Sequence, residues 1–432
     1  MDVWALIMFV VLFTLLLAGF PVAFTLGAVA FGFGSIFLGV DFFNLLPLRV
    51  WGIMTNFTLL AVPLFIFMGV ILEKSGIAEE LLETMGRLFG RVRGGLAISV
   101  VAVGALLAAT TGVVGASVVT MAVIALPAML KHGYAPTLAS GTIAASGTLG
   151  QIIPPSIILI LLGDVMGVPV GQLFIAAAIP GMMLVVAYML YIAFVAWRQP
   201  ELAPALKTDP NDEHLFFQVI KSLFPPLALV LAVLGSIFWG VASPTESAAV
   251  GAFGAMVLAC LHGKLSLTNL RQALEQTTRL TSMVFLILIG ATAFGLVFVG
   301  MGGDDLIFKL FDSLPGGKWT FLILSMLLIF VLGFFLDFIE ICFIVVPIIA
   351  PVAIHLGIDP LWFALLIALN LQTSFLTPPF GFSLFYLKAS APTLELSTIY
   401  RGIIPFIAIQ VIVLAILIVF PSVALWLPSL ME

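Results

Sequence analysis

The chain has 432 residues, of which 62% are hydrophobic and 9% charged, with a mean hydropathy of +1.29 and a formal net charge of -5. Soluble domains carry about 25% charged residues, so this composition excludes a soluble globular protein. The thin spread of charge also excludes a basic nucleic-acid-binding surface. Apolar runs of about 20 residues, each able to cross a bilayer, recur along the chain and describe an all-α polytopic membrane protein.

In chain order, the first apolar run begins at Val3 and has no small-residue cleavage site after it, so it reads as a span. Spans are expected at about 3–20, 22–40 and 51–73, followed by an amphipathic arm over 78–93. The next two apolar segments, 95–109 and 118–130, are too short to cross, and they predict a re-entrant hairpin over 95–130 with its tip at Ala109–Ser117. A segment over 135–165 is broken at Ser146–Ser156 by Pro154-Pro155. Proline inside a helix costs about 3 kcal/mol or more. A span at 171–197 closes the first half, and the polar stretch 198–222 reads as a cytoplasmic linker. The second half, 223–432, repeats the series. It has spans at 223–241, 243–262 and 279–301, an arm over 304–317 and a hairpin over 319–354 with its tip at Leu332–Glu340. A segment over 360–388, broken at Asn370–Gly381, and a span at 403–428 complete it.

The repetition is visible residue by residue. Pro154-Pro155 recurs as Pro378-Pro379, 224 residues on, and Pro127, Gly133 and Pro136 recur at the same offset as Pro351, Gly357 and Pro360. A run of matches in one order near one offset marks a duplication. Each half has five crossings, an odd number, so the second half runs upside down as an inverted repeat. Cytoplasmic ends collect Lys and Arg. With the N-terminus outside, only Arg49, Lys309 and Lys318 of the 16 basic residues lie on the outer face. Both termini are then expected in the periplasm.

Irregular backbone survives at membrane depth only where protein buries it or it lines a cavity. The two tips and two breaks are therefore the candidate sites. They offer freed carbonyls, the hydroxyls of Thr110, Thr111, Ser117, Ser146, Thr148, Thr373, Ser374 and Thr377, and the amides of Gln151, Asn370 and Gln372. Such oxygens suit a hard cation such as Na⁺. Each hydroxyl can equally bond back to a carbonyl of its own helix. Asp337 and Glu340 are carboxylates in an apolar segment, where ionisable groups mark function. Three roles stay open for them: pairing with a cation, coupling to protons, or capping a half-helix. Ser243-Pro244-Thr245-Glu246 reads as a helix N-cap with proline at the first helical position. Cys260 and Cys342 read as small core residues, and no nucleotide-binding loop or hydrolase motif is present. The chain reads as a transporter that does not use ATP directly, and not as an enzyme.

"GTLGQIIPPS" at 147–156, "LTPPFG" at 376–381, "LGFFLD" at 332–337, "SPTESAAVGA" at 243–252 and "AGFPVAFTLG" at 18–27 carry a resemblance over nearly the whole chain. Together they resemble the large, DctM-type membrane subunit of tripartite ATP-independent periplasmic (TRAP) transporters. The resemblance implies an elevator-type secondary transporter of a bacterial inner membrane, in which hairpins and broken helices slide against a scaffold of the remaining helices. It implies Na⁺ as coupling ion, an organic acid as substrate, a soluble periplasmic binding protein and a small membrane subunit of about four helices. One Na⁺ site would join Gly112, Gly115 and Ser117 to Ser146, Gly147 and Thr148. A second would join Gly333 and Asp337 to Thr373 and Thr377. Substrate would lie between the tips near Pro154, Pro155, Pro378 and Pro379, with Thr111, Gln151, Ser156 and Glu340 as further candidates to line it. Phe338 and Glu340 depart from the threonine and small residue common after the tip aspartate. The "DFIE" and "TPPFGFSLFYL" wording resembles a subgroup linked to 2-oxo or other monocarboxylic acids. A stand-alone Na⁺:anion symporter working without a binding protein is the alternative.

Overall fold

The computed structural model describes residues 2–112, 114–206, 215–312 and 315–431, in which helices joined by turns and short irregular stretches are the regular structure and no strand occurs. The first half comprises α1 (Asp2–Leu17), α2 (Val22–Phe37), α3 (Leu46–Met54), α4 (Ala61–Lys74), α5 (Ile77–Phe89), α6 (Gly95–Thr111), α7 (Val114–Lys131), α8 (Pro136–Thr148), α9 (Ile157–Met166) and α10 (Val170–Arg198). The second comprises α11 (Leu215–Phe238), α12 (Pro244–Leu261), α13 (Leu267–Gly300), α14 (Gly303–Asp312), α15 (Gly317–Leu332), α16 (Phe338–Ile344), α17 (Val346–His355), α18 (Pro360–Leu376), α19 (Phe382–Ser390), α20 (Leu396–Val419) and α21 (Ser422–Ser429).

Local chemistry sets many of these boundaries. Pro136, Pro244 and Pro360 open α8, α12 and α18, where a missing N–H costs nothing. At α12 a capping box forms: the Ser243 N–H donates to Glu246 Oε2 at 2.8 Å and the Glu246 N–H to Ser243 Oγ at 3.3 Å. Glu246 therefore has the structural role its sequence position suggests. Cys342 is buried, but Cys260 is exposed on α12 and does not join the core.

Among the described residues six helices are long and apolar enough to cross a membrane, and two bent helix pairs also qualify. One bent pair replaces the straight span expected at 51–73: Val40–Met54 and Thr58–Lys74 meet at 56°. Asn56 sits in that bend, where its Oδ1 accepts the Thr58 N–H at 2.9 Å and its amide donates to Asp164 of α9. Its counterpart, expected at 279–301, is a single helix that begins at Leu267, with Ser266 Oγ capping the Asn269 N–H at 3.1 Å. Helix α11 starts at Leu215, inside the expected linker, whose residues 207–214 lie outside the described part.

Two packing groups emerge. In the first, α4 lies on α12 and α2 on α13, at small residues that let backbones approach. A β-carbon at Gly251 would lie 2.7 Å from Met68 Sδ, and one at Gly290 2.7 Å from the Ala23 carbonyl oxygen. In the second group the hairpins α6–α7 and α15–α17 pack on the broken pairs α8–α9 and α18–α19. Helices α10 and α20 join this second group, where the resemblance counts them with the scaffold. A β-carbon at Gly402 of α20 would lie 2.0 Å from the Thr137 carbonyl oxygen of α8. The Trp362 indole N–H donates to the Leu417 carbonyl at 2.8 Å. Tyr188 of α10 and Gln410 of α20, 222 residues apart and both fully buried, hydrogen-bond at 2.8 Å.

Candidate ion and substrate site

The first hairpin reverses at Gly112, whose φ of +60° is a left-handed conformation open to glycine. Its arms reach further than the short segments expected, α6 to Thr111 and α7 from Val114, and α7, expected to be too short, is long and apolar enough to cross a membrane. Val113, within the expected tip, lies outside the described part. The tip is seated directly on the first break. A β-carbon at Gly147 would lie 2.3 Å from Val118 Cγ2 and 3.0 Å from that residue's Cα, one at Gly104 2.6 Å from Ser146 Cβ, and one at Gly112 3.2 Å from Ile157 Cγ1. Gly69 of α4 presses on the tip from the other packing group, its β-carbon position being 2.5 Å from Thr111 Cα.

Val118, next to Ser117, thus meets Gly147 between Ser146 and Thr148, while Gly112 meets Ile157 beyond the break. Thr111 Oγ1 and Ser117 Oγ are 2.7 Å apart and buried. Thr110 and Thr111 donate to the Leu107 carbonyl, Ser146 to Thr142 at 2.6 Å, Thr148 to Ala145 at 2.8 Å and Ser156 to Gln151 at 2.7 Å. Pro154 and Pro155 are buried at the break, and the Gln151 side-chain amide is sealed with no partner at either end. Both Pro-Pro peptide bonds are cis.

The second tip is built differently. Asp337 is the N-cap of α16: its Oδ1 accepts the Phe338 N–H at 2.7 Å, while Glu340 Oε2 accepts the Asp337 N–H at 3.1 Å. Of the roles open to Glu340, capping is the one its geometry shows. Gly333 packs on α18, where a β-carbon would lie 2.1 Å from Ser374 Oγ. Thr373 donates to Leu369 at 2.9 Å, Ser374 to Leu371 at 2.9 Å and Thr377 to Thr373 at 2.7 Å. The breaks do not present alike, since Pro379 and Phe380 are exposed whereas Pro154 and Pro155 are buried.

Two expectations change. Asn370 spends its amide N–H on structure, donating to the Met326 carbonyl at 2.7 Å, and offers only its oxygen. Some freed carbonyls are already taken: Gln151 by Ser156, Phe375 by Ser383 and Pro379 by Tyr400. The hydroxyls show one pattern throughout, because each gives its proton to a neighbouring oxygen. A hydroxyl so engaged keeps lone pairs but has no proton left. The two tips and two breaks therefore present oxygen acceptors, which fit a hard cation such as Na⁺. No grouping of His, Cys, Asp and Glu among the described residues matches a transition-metal site.

The site is shared between the halves. Helix α19, after the second break, packs on α7 of the first hairpin, and α9, after the first break, packs on α16 and α17 of the second.

The family model for the DctM component of tripartite ATP-independent periplasmic transporters matches residues 9–423. The chain belongs to this family. It is 31% identical to the sialic acid TRAP transporter large permease protein SiaM of Vibrio cholerae, over 96% of each chain. It is 31% identical to the C4-dicarboxylate TRAP transporter large permease protein DctM of Pseudomonas aeruginosa, over 89% of each. With the ectoine TRAP transporter large permease protein TeaC of Halomonas elongata the identity is 30%, over 98% of this chain and 99% of that one. The Alcanivorax borkumensis YdaH transporter, at 14% identity, shares the fold with a TM-score of 0.62 over 94% of this chain and 97% of that one. This DctM component is a permease subunit and not an enzyme, and such subunits work with a small membrane subunit and a periplasmic binding protein.

Two residues from other elements also pack against the first hairpin: Gly69 of α4, which seats its tip, and Tyr386 of α19. A β-carbon at Gly115 would lie 3.1 Å from the Tyr386 ring.

Proposed function

We propose that this DctM subunit is the translocation path of a Na⁺-coupled importer of an organic acid in a bacterial inner membrane. Relatives named for sialic acid, C4-dicarboxylates, isethionate and ectoine support an organic acid as the substrate class. The observation that carries Na⁺ coupling is the set of hydroxyls at the first tip and both breaks that have already given up their protons, with Asp337 of the second tip as the charged member. At the first tip the acceptors available to Na⁺ are Thr111, Ser117, Ser146 and Thr148; at the second they are Asp337, Thr373 and Thr377. Asymmetry of Lys and Arg supports periplasmic termini. The two packing groups support an elevator in which α6–α10 and α15–α20 move past α1–α4 and α11–α13. In proteoliposomes holding the chain with its small subunit and loaded binding protein, an inward Na⁺ gradient should drive accumulation of the acid. Uptake that persists when K⁺ replaces Na⁺ would remove the coupling claim, and uptake without the binding protein would favour a stand-alone symporter.

A further inference from the structure

The organic acid poses a problem for the acceptor-only site just described. An anion needs donors; the half-helix starts offer backbone N–H groups, but among side chains no Lys, Arg or His occurs in 109–117, 146–156, 332–340 or 370–381. The nearest lysine in sequence, Lys388, donates to the carbonyls of Pro392 at 2.9 Å and Leu394 at 2.6 Å, at the far end of α19. The hydroxyls of Thr110, Thr111, Ser146, Thr148, Ser156, Thr373, Ser374, Thr377 and Ser383 have all spent their protons on carbonyls. The amides of Gln151 and Gln372 are unpartnered but sealed in the interior.

Tyr386 differs from all of these. Its hydroxyl has no hydrogen-bond partner among the described residues, and the residue is 39% exposed. The ring lies over Gly115 of the first tip, with ring atoms 3.1–3.4 Å from where a β-carbon would stand. The side chain is also within electrostatic reach of the Asp337 carboxylate at the second tip. One side chain from α19, just past the second break, thus touches the first hairpin at Gly115. Glycine at 115 is what lets the ring come so close.

We infer that Tyr386 is a specificity-determining residue whose phenol O–H donates to the carboxylate of the transported acid, on the reading that this chain carries an organic acid. The division of labour follows from the protons: aliphatic hydroxyls face the cation as acceptors, and the phenol faces the anion as donor. A phenol suits the task because it donates without adding a fixed positive charge, which would repel the co-transported cation.

The test is Tyr386→Phe, which keeps the ring over Gly115 and removes only the donor. Wild type and variant are compared in proteoliposomes with the small subunit and binding protein, using radiolabelled succinate, pyruvate, sialic acid and ectoine as probes. For the probe that accumulates, the variant's KM should rise about 10- to 100-fold, the range for losing a hydrogen bond to a charged group. Half-saturation by Na⁺ at saturating probe, and the unfolding temperature, should stay at wild-type values. A merely structural role would move those last two and leave KM alone. An unchanged KM with uptake intact overturns the assignment of Tyr386 alone. Failure of wild type to accumulate any probe overturns the organic-acid reading and this inference with it.

Discussion

Gly147→Ala tests whether the first tip is held in register by its seat on the first break. The added methyl would sit 2.3 Å from Val118 Cγ2 and 3.0 Å from both the Cα and N of Val118. Ordinary contact begins near 3.4 Å, so α7 must retreat from α8 by about half an ångström at the backbone and about 1 Å at the side chain. Val118 is fully buried, which leaves its side chain little room to rotate away. Overpacking of this kind costs roughly 1–3 kcal/mol. The same displacement separates Ser117 from Ser146 and Thr148, and metal sites tolerate distance errors of only about 0.2 Å. Loss of such support weakens metal binding by about 10- to 100-fold. Gly147→Ala should therefore raise Na⁺ half-saturation by roughly that factor and lower the unfolding temperature. Gly27→Ala is the control: that glycine lies in α2 with nothing within 4 Å of its β-carbon position. Alanine there should stabilise by about 0.5–1 kcal/mol. Uptake titrated with Na⁺ and thermal unfolding in detergent read both quantities. If Gly147→Ala behaves like Gly27→Ala in both, the seating of tip on break has no part in ion binding.

Further outcomes follow from individual bonds. Asp337→Asn keeps an oxygen to accept the Phe338 N–H and remains a good N-cap. It should fold normally while Na⁺ half-saturation rises about tenfold, and a Na⁺ titration at wild-type values would remove Asp337 from the ion site. Tyr188→Phe leaves the Gln410 amide without the acceptor it now uses, beside a Gln410 Oε1 that already lacks a partner. The cost should be about 1–3 kcal/mol, read by thermal unfolding; no loss would mean that neighbouring Gln372 takes over as partner.

Much of this protein's plan is written locally. Proline and glycine act on their own backbone, so the Pro154-Pro155 and Pro378-Pro379 breaks, the turn at Gly112 and the Ser243–Glu246 cap were legible at their positions. Carboxylates in an apolar run are conspicuous for the same reason, because their cost depends on the medium and not on a particular neighbour. The bend at Asn56 left no such mark, since no proline or paired glycine stands there and the bond that Asn56 makes in it is to Asp164, 108 residues away.

Tertiary structure alone decided what each polar group does with its protons. From sequence a buried hydroxyl is equally an ion ligand or a group bonded to its own helix, and here it has given its proton to that helix while keeping its acceptors. Contacts such as Tyr386 on Gly115, Gly147 on Val118 and Tyr188 with Gln410 join segments that are apolar on nearly every face. In a water-soluble helix the polar side announces which way it faces. In a membrane protein lipid and core are alike apolar, so direction is set only when the helices pack.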